Sequence, residues 1–176
     1  RLTKSADGTA IAWAHAGDGP SLVKAGNWLT HLEYDLKSPI WHHWSHSFAD
    51  PYGLIRYDER GCGMSDRNVA ELSLDASVQD LEAVIAAARP AEPFILLGIS
   101  QGGATAIPYT VAPPGKVSHL ILYGAYAQGR AKMGDPEAER AQRARIALTR
   151  TGWGQDNPVY RQLFTSRFIP AGTDEQ

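Results

Sequence analysis

An apolar run, Phe94-Ile95-Leu96-Leu97, passes straight into Gly98-Ile99-Ser100-Gln101-Gly102 and then into sequence of helical character. Such a run reads as a buried strand, so the residues after it must turn the chain from strand to helix in little space. Gly98 and Gly102 suit that task, because a Cβ at either place would meet neighbouring backbone. The spacing Gly-x-Ser-x-Gly therefore sets Ser100 on a sharp turn with its hydroxyl outward. A serine hydroxyl is a poor nucleophile at neutral pH, and such a turn lets a base reach one side and backbone N–H groups the other. Five residues with two free positions are a weak pattern alone; the strand before and the helix after give it weight. The plain alternative is a glycine-rich turn carrying an ordinary serine.

Strand-like and helix-like segments alternate along the rest of the chain, which predicts an α/β fold with a largely parallel sheet. Ala10 to His15 alternates before the turn Gly17-Asp18-Gly19-Pro20 and reads as a strand closing a hairpin; Leu22 to Ala25 and Leu54 to Tyr57 read as short strands. Between them, Leu32, Leu36, Ile40 and Trp44 are spaced for one face of a helix. Leu74, Val78, Leu81, Ile85 and Ala88 mark an amphipathic helix that Pro90 ends. The helix after Ser100 runs from Gln101 to about Val111, with Pro108 expected to kink or shorten it. Val117 to Tyr123 suits a strand buried on both faces. Asp135-Pro136 is a cap and first turn, opening a helix that continues to Thr151 and stops at Gly152.

With 176 residues the chain can build one ordinary core, and 43% hydrophobic against 20% charged residues describes a globular domain. A net charge of -2 implies no strong electrostatic partner, and the basic stretch Arg140 to Arg150 follows Glu137 and Glu139 and is diluted by alanines, so no nucleic-acid surface is expected. Cys62 is the single cysteine, which excludes an internal disulfide and a cysteine-rich metal site. No apolar segment has the roughly 18 to 20 residues of a membrane span, and a cytoplasmic location is expected.

These stretches resemble the α/β-hydrolase fold superfamily. Asp58-Glu59-Arg60-Gly61-Cys62-Gly63-Met64-Ser65 looks like the Asp-x-Arg-Gly-x-Gly-x-Ser segment after its fourth strand, and the Ser100 elbow follows one helix later. Asn27 to Tyr34 and Tyr123 to Tyr126 look more narrowly like a serine-nucleophile subgroup associated with bacterial cyclase and transcription-regulator proteins. The resemblance implies a doubly wound, mostly parallel sheet, with a core over residues 1–130 and the start of a helical cap over 131–176. It also implies an oxyanion hole from the N–H of Gln101 and one from the loop after the third strand, where Gly26, Asn27 and Trp28 stand in place of the usual His-Gly pair. Trp28 is the candidate for that second donor, with Asn27 one position away.

Superfamily order places an acid and then a histidine after the serine. His119 is the one histidine after Ser100, and it falls in a strand, as a core or strand-end residue. Asp135, Glu137, Glu139, Asp156, Asp174 and Glu175 are the acids of that region, and none follows a strand. Neither partner is assigned. Continuation of the sheet beyond residue 176, in sequence absent here, is the economical expectation, with the chain inactive alone and completed by that segment or by an oligomer. His31, His42, His43 and His46 are grouped, yet the metalloprotease spacing is absent, so no metal and no cofactor is expected. Two readings follow: a serine hydrolase that opens a small-molecule ester or related acyl substrate through an acyl-enzyme, and a non-catalytic ligand-sensing or protein-interaction module on the same fold.

Overall fold

A computed structural model describes residues 1–112, 114–129, 132–166 and 168–169. The chain divides into two compact units, 1–127 and 128–176. In the first, β1 (Leu2–Lys4) and β2 (Ala10–Ala16) lead to β3 (Ser21–Lys24), α1 (His42–Ala49), β4 (Gly53–Tyr57), α2 (Leu74–Ala88), β5 (Phe94–Ile99), α3 (Gly102–Val111) and β6 (Val117–Tyr123). The strands form one sheet in the order β1-β2-β4-β3-β5-β6. β3 runs parallel to β4 and β5, and β5 parallel to β6, while β1-β2 and β2-β4 are antiparallel.

Alternation along β5 sorts side chains between two layers. Phe94 and Leu96 join Ile11, Val23, Ile55, Leu81, Val84 and Tyr109 on the side of α2 and α3. Leu97 and Ile99 join Leu22 and Leu54 on the other side, under Trp44 and Phe48 of α1. Helices thus cover both faces, α1 on one and α2 with α3 on the other, which is double winding. Because the chain passes from β3 to β4 on one side and then crosses β3 to reach β5, the carboxyl ends of β3 and β5 lie side by side at the switch point, where such sheets bind ligands.

Three expectations need correction. β2 makes its hairpin with β1, and the turn at Gly17 to Pro20 joins strands that β4 separates. The helical face expected over Leu32 to Trp44 is realised only from His42: Leu29 has φ of 68°, the Leu32 N–H is taken by the Asp58 carboxylate, and Pro39 disfavours helical backbone at Ser38. β6 is exposed along most of its length rather than buried on both faces, and β5 is its one neighbour among the described strands. His119 accordingly lies exposed on β6 opposite Ile95, not in a core.

The helix through Leu81 is capped by the Ser73 hydroxyl, which accepts the Ala76 N–H, and ends at Arg89 in the left-handed region just before Pro90. α3 continues three residues past Pro108 without being shortened there. The second unit holds α4 (Pro136–Gly152) and α5 (Pro158–Thr165). Asp135 and Asn157 cap them, each followed by a first-turn proline. Tyr160 packs against Gly152, and Phe164 stacks near Trp153 and Phe168.

Candidate active site

Ser100 follows β5 with φ of 51°, one of three non-glycine residues with positive φ among those described. Left-handed backbone costs an L-residue about 1–2 kcal/mol, so the surroundings must impose it. They do so with two backbone bonds: the Ser100 N–H donates to the Tyr123 carbonyl of β6 at 3.0 Å, and the Ser100 carbonyl accepts the Gly103 N–H at 3.1 Å. The serine side is exposed while Ile99 before it is buried. A Cβ at Gly98 would lie 2.8 Å from the Gly103 Cα, and one at Gly102 would lie 2.9 Å from the Gly26 carbonyl oxygen. Both glycines therefore allow a close approach: Gly98 that of β5 to α3, and Gly102 that of the turn to the loop after β3.

That loop carries the other candidate donor. Gly26 and Asn27 pack against Gly102, and Trp28, 41% exposed, follows them in the chain. Two neighbouring strand ends thus bring Gly26 and Asn27 against the elbow that carries Gly98, Ser100, Gln101 and Gly102. The histidines of the α1 region take local roles: His31 Nδ1 accepts the Tyr34 N–H, and His42 Nδ1 lies 2.8 Å from the Ser38 carbonyl. Among the described residues no group of three or more histidines, cysteines or carboxylates is arranged to hold a metal ion. Asp135 caps α4, Glu139 pairs with Arg143 and Asp156 with Arg161, all in the second unit. Asp174 and Glu175 lie outside the described residues.

The segment Asp58 to Ser65 braces the site. Asp58 is fully buried, and its Oδ2 accepts the N–H groups of Leu32 at 3.1 Å and Met64 at 2.8 Å. Gly63, at φ of 52°, leaves no room for a Cβ against that carboxylate. Arg60, also enclosed, forms a two-pronged pair with Asp80 of α2 at 2.7 Å on each arm and reaches Asp7 at 2.8 Å. These contacts raise the Arg60 pKa further and, with the Thr9 N–H as the larger cause, lower that of Asp7 to about 2.

Sequence reasoning passed over Glu59. Its Oε1 accepts from the Gln101 side-chain amide at 2.9 Å, so the β4 loop is tied to the residue after the serine. Burial, reinforced by the Asp80 charge, pushes the Glu59 carboxyl up to about 7. Its place in the Asp58 to Ser65 motif was the available signal.

Strand order, double winding and a serine on a left-handed turn at the switch point together define an α/β hydrolase. The family model for the serine aminopeptidase S33 hydrolases matches residues 21–158, and the chain belongs to that family. Among solved structures it is similar to the esterase RhEst1 from Rhodococcus sp. ECU1013, at 28% identity and a TM-score of 0.70 over 99% of this chain and 62% of that one. It is also similar to Est816, an N-acyl homoserine lactone degrading enzyme, at 25% identity and 0.66 over 82% and 53%. A hydrolase from Pseudomonas aeruginosa PA01, at 18% identity and 0.71 over 99% and 62%, shares the fold. The chain spans between half and two thirds of the length of these relatives. No curated protein matches it. No described helix is long and apolar enough to cross a membrane.

Proposed function

We propose that Ser100 is the nucleophile of a hydrolase acting on a carboxylic ester or related acyl substrate. Its hydroxyl adds to the carbonyl carbon and gives its proton to a base; the alcohol leaves, and water releases the acid from the acyl-enzyme. The N–H groups of Gln101 and Trp28 receive the negative charge that gathers on the carbonyl oxygen. The observation that carries this reading is the left-handed turn at Ser100, exposed and pressed against the loop after β3. One similar structure is named an esterase and another an N-acyl homoserine lactone degrading enzyme, which supports an acyl substrate.

In this reading the histidine base and its acid come from sequence other than residues 1–176, and residues 131–176 begin a helical cap. His119 sits on β6, an element unlike the loop that carries such a base. Removing the histidine of a serine triad costs on the order of a millionfold in turnover, so residues 1–176 alone should be nearly inactive. An organophosphonate probe offered to the complete protein should leave its adduct on the peptide containing Ser100, and S100A should abolish it. Labelling elsewhere, or none, overturns the reading and favours the ligand-sensing one.

A further inference from the structure

Behind the loop after β3 lies a charged cluster that the reaction above leaves unused. Lys24 ends β3 and stands in register with Arg56 of β4. Arg56 pairs with Asp35 at 3.8 Å and donates to the Leu32 carbonyl at 2.6 Å. Asp58 Oδ1 is buried without a hydrogen-bond partner among the described residues. Lys24 donates through Nζ to Asn27 Oδ1, and Asn27 Nδ2 donates to the Trp28 carbonyl at 3.3 Å. Lys24, Asn27, Asp35, Arg56 and Asp58 line a small, partly open cavity together with Ile99. The half-buried Lys24 ammonium holds Asn27, so it acts on the loop that carries that side chain.

We propose that Lys24 is a positioning residue for the oxyanion loop, fixing Asn27 against Gly102 and, through the Asn27 amide, the Trp28 carbonyl, so that the backbone on both sides of Trp28 is held. The proposal rests on the reading of Ser100 as nucleophile and gives that reading a second layer of support. Asp35, Asp58 and Glu59 face the ammonium and favour its charge, Arg56 opposes it, and burial pushes its pKa down to about 8. It is therefore charged at neutral pH. Losing an oxyanion donor outright costs about a hundredfold or more in kcat, so a donor left in place but loosened should cost about tenfold. KM should hold within about twofold, because the contact strengthens only in the transition state.

The experiment compares K24M, N27D and N27A in the complete protein, following hydrolysis of a p-nitrophenyl ester, thermal unfolding, and amide hydrogen exchange at Trp28 and Leu29. N27D keeps the acceptor for Lys24 and drops the donor to Trp28, so it breaks the same relay with little change of shape. It also serves if K24M does not fold. All three should lower kcat about tenfold with KM held, and should speed exchange at Trp28 and Leu29 while Leu96 and Leu97 of β5 exchange as in the wild type. Unchanged kcat and unchanged loop exchange overturn the proposal. So does a fall in Tm with normal kcat per folded molecule. If wild-type Ser100 takes no probe, the hydrolase reading fails, while loop exchange still decides whether Lys24 orders the loop.

Discussion

Ser100 is a residue whose chemistry and conformation pull against each other. Its φ of 51° suits glycine better than serine. Replacing it with glycine removes the steric cost of the left-handed backbone but adds chain entropy to the unfolded state, leaving a gain of about 0.5–1 kcal/mol. S100G should therefore unfold at higher urea than the wild type while failing to react with an organophosphonate. Equal or lower stability would show that the turn is not strained. Glu59 makes a second prediction, this time in pH. A carboxyl raised from its ordinary value to about 7 binds more protons folded than unfolded, so its neutral form favours the native state below about pH 4.5 and that advantage is lost as pH rises through 7. E59Q keeps an acceptor for Gln101 and cannot ionise. Its stability relative to wild type should grow between pH 5 and 8, read from paired urea titrations, and a flat difference would contradict the burial argument.

At the scale of elements, the sequence was most legible where local chemistry and tertiary packing agree. The α2 pattern, the Asp135 cap and the close approach of Gly98 to Gly103 all depend on neighbours within a few residues. Residues 32–41 depart from the helix that their apolar spacing predicts because the Asp58 carboxylate, far along the chain, captures the Leu32 N–H. β6 was misread because a run of valine, leucine and isoleucine does not say how many strands will flank it. Lys24 and the side-chain roles of Asn27 and Glu59 were not legible for the same reason: each acts through a contact that only the sheet order brings about. The elbow itself gives a sharp test. G98A would push a Cβ to within 2.8 Å of the Gly103 backbone, with no side chain there to move aside. An overpacking cost of about 1–3 kcal/mol should follow, measured by urea unfolding, together with slower labelling of Ser100.

Across the first unit, order in the sheet decides what is exposed. Ile121, Leu122 and Tyr123 of β6 are 45%, 46% and 58% exposed on an edge strand, next to the carbonyl that anchors Ser100. Apolar edges pair with other edges, so residues 1–176 should self-associate with rising concentration in sedimentation, and I121K should reduce this. A monomer at every concentration would speak against an adhesive edge. The opposite end of the sheet is secured differently. Arg60 joins Ser5 and Asp7, which flank the first turn, to Asp80 of α2, across 53 to 55 residues of chain on one side and 20 on the other. The first hairpin is thereby enrolled in the same cooperative unit as the central helix instead of fraying as a terminus would. Amides of β2 paired to β1 should open only with global unfolding in native-state exchange. In D80N, which leaves the guanidinium half unpaired, they should join a smaller, earlier-melting unit.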